Sequence, residues 1–263
     1  MAVELEEYEK RVVVFIDILG FREHIKQTTE DNGYFIKLRN CLNFIANLKI
    51  ENDNEKKKNP ENKREITVFS DSIVISYSTE FEGSVFWLLL DVVHIQLEMM
   101  KMGILMRGGL TVGNLCHNDN IVYGPAMIEA YELESKAAIY PRVVVNEEVF
   151  NIAAQIATAF ANDGKITHTA ATDEVQEMKE MCCKDRDGHW FINFLSQSLE
   201  VNSVDNYFEA LATLKNLISQ EIEKNKLKPS IFLKYEWLKN YYNEVIAKFS
   251  KEEVEKWNIQ ILE

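Results

Sequence analysis

Arg11 to Arg22 reads RVVVFIDILGFR: a run of β-branched and aromatic residues, one aspartate, and then Gly20-Phe21. Val12, Val13, Val14, Phe15 and Ile16 have the composition of a strand buried on both faces, so Asp17 arrives at the end of a core strand rather than on a surface helix. A carboxylate in that setting needs a partner. Either Asp17 caps a helix that begins near Leu19, accepting hydrogen bonds from its first turn, or it serves chemistry. The rest of the chain has to decide between them.

The 263 residues, 46% of them hydrophobic, suit one large domain or a domain with an appendage, with a core that needs no disulfide staples. A net charge of −13 argues against general binding to nucleic acid or to an anionic membrane, since no basic excess exists to displace counterions from phosphates. An anionic ligand therefore requires a local pocket. Cys41, Cys116, Cys182 and Cys183 lack a paired spacing and no signal peptide precedes them, so reduced thiols and a cytoplasmic location are expected. Cys116-His117 and Cys182-Cys183 with His189 put metal-binding types close together, but adjacent ligands rarely wrap a tetrahedral ion, and zinc is not expected. Val85 to Met100 is the most apolar window. Asp91, His94, Gln96 and Glu98 interrupt it well short of the ~20 apolar residues of a membrane span, so it reads as a buried helix.

After the Asp17 strand, a helix from Phe21 to Lys26 leads through polar Gln27 to Gly33 into a second helix over Tyr34 to Leu48, with Leu38, Cys41, Leu42, Ile45 and Leu48 on one face. Glu51 to Arg64, ENDNEKKKNPENKR, offers no apolar anchor, and 51–65 is expected to be a solvated loop. Ile66 to Tyr77 reads as two strands with Ser70, Asp71 and Ser72 at the turn, which puts Asp71 at a hairpin tip. A long helix over Glu82 to Lys101, a strand over Gly103 to Val112 and a short strand over Asn120 to Tyr123 follow. Gly124-Pro125 opens a helix to Ala138, with Pro125 tolerated in its first turn. Then come a strand at Arg142 to Val145, a helix at Glu147 to Ala161, a turn at Asp185 to Gly188 and a strand at His189 to Leu195.

This order is a ferredoxin-like α+β arrangement with insertions: one antiparallel sheet flanked by helices, over residues 1–198. It sets the first strand beside the hairpin of the second and third, so that Asp17 and Asp71 can stand side by side. Two carboxylates that close repel unless a cation lies between them, and the pair suggests a divalent metal. Residues 199–263 form a C-terminal extension, two amphipathic helices separated at Lys228-Pro229, expected to pack on the sheet domain or at a dimer interface.

Four segments stand in a telling order: FIDILGF at 15–21, FSDSIVIS at 69–76, MRGGLTVG at 106–113 and YGPAMIEAYELESKA at 123–137. Together they resemble the class III nucleotide cyclases over about residues 10 to 195. In that family the first strand ends F-x-D-I-x-G-F, the hairpin carries G-D, the next strand reads R-x-G-I-x-x-G and the helix contains V-N-x-A-x-R-L-E. The resemblance implies that Asp17 and Asp71, with the backbone carbonyl of Ile18, hold two divalent cations, Mg²⁺ or Mn²⁺, for in-line attack of a nucleotide 3′-hydroxyl on the α-phosphorus. It implies further that N–H groups of Leu19, Gly20 and Phe21 cradle the β- and γ-phosphates and that Arg107 contacts the triphosphate.

The departures are equally informative. Arg22 replaces the usual threonine and is a second phosphate contact or an exposed side chain. The transition-state asparagine and arginine align with Ile128 and Glu132, a loss worth about 3 kcal/mol or more at the developing charge. Lys136, Lys184 and Arg186 are the candidates to compensate. The purine-reading lysine and aspartate align with Thr67 and Ile121, which cannot make the family's polar contacts to adenine, so a smaller base is expected. The combination is similar to the stand-alone cyclases of the bacterial Pycsar antiphage systems. That implies a homodimer with shared active sites, formation of cyclic CMP or cyclic UMP from CTP or UTP, and a separate cyclic-nucleotide-binding effector. An adenylate or guanylate cyclase, and a catalytically silent nucleotide-binding module, are the alternatives.

Overall fold

The computed structural model describes residues 7–59, 63–118, 121–198 and 203–263. β1 (Glu9–Ile18) is the central strand, with Val12, Val13, Val14 and Ile16 fully buried. β3 (Ser72–Ser78) pairs with one side of it and β4 (Met106–His117) with the other, both antiparallel. β2 (Arg64–Phe69) closes the hairpin with β3. Beyond β4 lie β6 (Val143–Val145), parallel to it, then β8 (Trp190–Ile192) and β7 (Cys182–Lys184). The sheet order is β2-β3-β1-β4-β6-β8-β7, and the two-residue β5 (Val122–Tyr123) hangs on β4. The expected α+β architecture, a mostly antiparallel sheet flanked by helices, is what the chain forms. Asn120, placed in the β5 strand by the sequence, lies outside the described residues.

The period of two along β1 divides the core. Val12, Val14, Ile16 and Ile18 join a large cluster with Leu88, Leu89, Val92 and Val93 of α3 (Ser84–Lys101). The same cluster takes in Leu211 and Leu214 of α7 (Val204–Lys224) and Tyr242 of α8 (Pro229–Ile246). Val13 and Phe15 face the other way and pack with Val74, Leu115 and with Ala126 and Ala130 of α4 (Pro125–Glu132). The two C-terminal helices separated at Lys228-Pro229 thus share the main core, and a third short helix, α9 (Lys251–Trp257), follows behind a capping box of Ser250 and Glu253. No helix among the described residues is long and apolar enough to cross a membrane.

Three stretches differ from the sequence reading. α1 (Phe21–Thr28) is followed by α2 (Asn32–Lys58), which runs through most of the expected solvated loop. Asn52 is fully buried there and donates from Nδ2 to the Arg64 carbonyl at 3.3 Å, while Lys56 pairs with Glu65 at 2.7 Å. Lys56, Lys57 and Lys58 occupy the last turn, where cations suit the helix dipole. Tertiary partners on β2 therefore replace the missing apolar anchor. α5 (Glu148–Asn162) is followed by α6 (His168–Glu180), and β7 precedes the predicted Asp185 turn; neither α6 nor β7 was expected. Lastly, the helix opened by Pro125 ends in a π turn over Leu133–Ala137.

Arg142 anchors the far half of the sheet. Its side chain is fully buried, ion-paired with Asp185 and Asp187 of the β7–β8 turn, and lies over the rings of Tyr140, Phe191 and Trp237. Trp237 Nε1 also donates to Asp185 at 2.6 Å, which ties α8 to the same turn.

Candidate functional site

Asp17 shares the sheet face of Val13 and Phe15. Its register partners are Ser72 on β3 and Arg107 on β4. Ser72 Oγ donates to Asp17 Oδ1 at 3.3 Å, and Arg107 Nη2 stands 3.7 Å from Oδ2. Ser70 and Asp71 alone link β2 to β3, and Ser70 adopts a left-handed φ of 54°, a conformation that favours glycine at the first position of such a hairpin loop. The Ile18 N–H donates to the Asp71 carbonyl at 3.3 Å, so the tip of the hairpin is fastened to the end of β1. Burial, the hydrogen-bonding influence and the charge of the neighbouring Asp71, and the charge of Glu134 push the Asp17 carboxyl up to about 7, against the lowering effect of Arg107.

Asp17 does not cap α1. The N-cap is Gly20, at φ 78° with no side-chain cap. The turn offers less than the sequence suggested, because the Leu19 N–H already donates to the Leu105 carbonyl at 2.9 Å. The Gly20 and Phe21 N–H groups, at the start of α1, keep the unsatisfied character of a helix N-terminus.

Arg107 is held by a residue that sequence reasoning missed. Glu134, 3% exposed, pairs with Arg107 Nη2 at 2.7 Å. The π turn over Leu133–Ala137 packs on Gly109, where an added Cβ would lie 2.4 Å from the Ala130 carbonyl and from Leu133 Cβ. That contact seats the turn on β4 and sets Glu134 beside Arg107; π turns of this kind recur at functional sites. Burial raises the Glu134 carboxyl, while Arg107 and Lys234 of α8 pull it down. Arg107 Nε is buried without a hydrogen-bond partner among the described residues. The guanidinium is therefore not fully satisfied by its protein partners.

The other candidates scatter. Arg22 is exposed on α1. Thr67 is nearly buried and its hydroxyl is engaged with His117 Nε2 at 2.9 Å, so it is not free to read a base. Ile121 is 49% exposed beyond the end of β4, and Ile128 projects from α4 at 64% exposure. Glu132 and Lys136 pair with each other at 2.6 Å on the surface, which removes Lys136 from the Asp17 cluster. Lys184 and Arg186 belong to the β7–β8 hairpin at one edge of the sheet, Lys184 over Trp190 and Arg186 near Glu244, with β4 and β6 between that hairpin and β1. The chain thus gathers Asp17, Asp71, Arg107, Glu134 and Lys234, and leaves the other predicted cations elsewhere.

Asp17 and Asp71 fit a hard divalent cation. They supply neighbouring oxygen donors, with Asp17 forced toward protonation by burial and by the Asp71 side chain. Among the described residues no group of three or more His, Cys, Asp or Glu side chains converges as a metal site. Further ligands would have to come from backbone carbonyls, such as that of Ile18, from water or from a substrate.

No family model and no curated protein matches the chain. Several solved structures do. The adenylyl cyclase CyaB from P. aeruginosa aligns at 16% identity over 57% of this chain and 84% of that one, with a TM-score of 0.41. A bacterial light-regulated adenylyl cyclase aligns at 16% identity over 57% of this chain and 47% of that one, with a TM-score of 0.38. The catalytic core of a rhodopsin-guanylyl cyclase with converted specificity, in complex with ATPalphaS, aligns at 16% identity over 56% of this chain and 82% of that one, with a TM-score of 0.38.

Proposed function

We propose that this chain is a metal-dependent nucleotide cyclase, converting CTP or UTP to the 3′,5′-cyclic monophosphate and pyrophosphate. The observation that carries the reading is the placement of Asp71, at a hairpin tip fastened by the Ile18 N–H at 3.3 Å, beside Asp17 at the end of β1, with Arg107 3.7 Å from Asp17. A purely structural site would have no use for two like charges held together. When bound there, divalent cations lower the pKa of the attacking 3′-hydroxyl and offset the charge of the departing pyrophosphate. Asp17, Asp71 and the Ile18 carbonyl would hold them. Arg107, oriented by Glu134 and partly exposed, offers its guanidinium to a phosphate oxygen, and the Gly20 and Phe21 N–H groups receive the phosphates at the start of α1.

Pyrimidine selection rests on what the base-reading positions lack. The Thr67 hydroxyl is tied to His117 and Ile121 is apolar, so neither offers the polar pair that a purine reader needs. The exposed apolar side chains of Phe69, Ile121, Tyr123, Ile128 and Tyr131 support a homodimer built on this face, with the base pocket and the missing transition-state contacts shared between subunits. Such a cyclase would act in the cytoplasm, in antiphage defence, through a separate cyclic-nucleotide-binding effector.

Incubating the purified chain with each of the four nucleoside triphosphates and Mn²⁺ or Mg²⁺, and identifying products by mass spectrometry, tests the reading. Cyclic CMP or cyclic UMP is expected. Cyclic AMP or GMP alone overturns the pyrimidine assignment, and no cyclic product from any nucleotide favours the silent module, which the exposed Ile128 and surface-paired Glu132 would suit.

A further inference from the structure

A cavity of about 450 Å³ lies between α1–α2 and α7–α8, and Leu19 and Gly20, the turn that follows Asp17, form part of its wall. Lys37, Lys224, Lys228 and Lys234 line it. In a chain with a net charge of −13, four lysines converging on one cavity run against the overall electrostatics. Its carboxylates do not cancel them. Glu221 is engaged by Asn225 at 2.8 Å and by Lys224 at 3.2 Å, and Glu23 is exposed. Lys37, Lys228 and Lys234 form no ion pair among the described residues.

Two of these lysines are held in place. Lys37 Nζ donates to the Gly103 carbonyl at 3.2 Å and stands 5.0 Å above the Tyr34 ring. Lys234 is half-buried, and burial and the positive charge of Arg107 press its ammonium toward losing its proton. Burial acts on Lys37 in the same direction. The turn itself is braced from the cavity side: Tyr34 lies 2.5 Å from His24 Nδ1, and His24 Nε2 lies 3.1 Å from the Leu19 carbonyl. A carbonyl only accepts, so the ring proton sits on Nε2 and the tyrosine hydroxyl donates to Nδ1.

We infer that this cavity receives the polyphosphate end of the nucleotide, with Lys37, Lys228 and Lys234 as its cationic contacts. That the phosphates belong to a substrate rests on the cyclase reading; the anion site itself does not. Leu19 and Gly20, which follow Asp17 directly in the chain, are part of the cavity wall, and compact ammonium groups on flexible stems suit the spread charge of a phosphate chain.

Titration of inorganic pyrophosphate into the full chain in metal-free buffer, followed by calorimetry, tests the site. Lys37→Met and Lys234→Met, which keep most of the aliphatic stem, should each weaken binding about tenfold, the usual loss for one charge-assisted contact. Glu221→Gln should tighten it, and Asp17→Asn should not weaken it. Unchanged affinity in both lysine variants, with melting temperatures like the parent's, overturns the site. A raised KM for the nucleotide in the same variants identifies the occupant as substrate, whereas weakened pyrophosphate binding with an unchanged KM overturns that identification. Pyrophosphate binding that depends on the lysines in a protein forming no cyclic product leaves the anion site standing and removes the cyclase reading.

Discussion

Arg11 and Asp17 stand on the same strand and the same face of the sheet, and both are charged side chains drawn out of water. Around Arg11 the polar groups complete one another. Its Nε donates to Ser76 Oγ at 2.8 Å, its Nη2 to the Lys63 carbonyl at 2.6 Å, and its Nη1 to Glu9. His117 closes the network, with Nδ1 2.8 Å from Ser76 Oγ and Nε2 2.9 Å from Thr67 Oγ1. Around Asp17 they do not. Asp71 and Glu134 add like charge beside Asp17, and Arg107 answers only part of that charge. A satisfied buried network defines a structure, whereas an unsatisfied one of like charges needs something from outside to complete it. The contrast separates scaffold from site within one sheet.

The largest effect should come from breaking the unsatisfied cluster. Asp17→Asn or Asp71→Asn is expected to lower cyclic-nucleotide formation about a thousandfold or more, since each variant removes a metal ligand. The metal-free protein should lose no stability, because the change removes repulsion. Denaturant midpoints and product yields, measured together, check this; a destabilised variant that keeps most of its activity would reverse the roles of the two clusters. At the other cluster the pattern inverts. Arg11→Met should cost about 2 kcal/mol of unfolding free energy by orphaning its partners, while activity per folded molecule stays close to the parent's.

The two clusters should also answer pH with opposite signs. Burial, then the positive charges of Arg11, Lys49 and Lys56, push His117 from 6.5 down to about 3. The unfolded chain therefore binds a proton that the folded chain refuses, and this contribution to stability is present above pH 6.5 and lost as the pH falls toward 3. Asp17 is raised from 3.8 to about 7, so in the metal-free protein the folded chain holds a proton that the unfolded chain releases. Its contribution is present below pH 3.8 and lost as the pH rises through 7. Urea unfolding across that range, for the parent, Asp17→Asn and His117→Phe, separates the two slopes. Added divalent metal should flatten only the Asp17 slope. The smallest effect belongs to Ser70, whose left-handed backbone a glycine would adopt without penalty; Ser70→Gly should stabilise the hairpin by about 1 kcal/mol.

Asp17 and Asp71 were readable because a long apolar strand and a short polar turn are local patterns, and an antiparallel hairpin beside β1 brings them together. Arg107 was readable only through the family resemblance of MRGGLTVG, since taken alone it looks like a surface strand residue. Glu134 was not, since it sits among charged residues that look solvated, and only a π turn seated on Gly109 turns it inward. Lys234 carries no signal of its own in the sequence; its position depends on how α8 docks against a distant part of the chain. Lys136 misled for the opposite reason, being a cation on the expected helix whose nearest partner is its own neighbour, Glu132. The helical extension of α2 escaped because Asn52 finds its partner on β2, beyond any local pattern.

Product formation by matched proteins tests the role of the carboxylate pair most directly. The parent chain, Asp17→Asn and Asp71→Asn, each folded to the same degree, are incubated with CTP and UTP plus Mn²⁺, and cyclic products are quantified by mass spectrometry. If the pair is the site, the parent forms cyclic CMP or cyclic UMP and both variants form almost none. Equal product from the parent and either variant would contradict it.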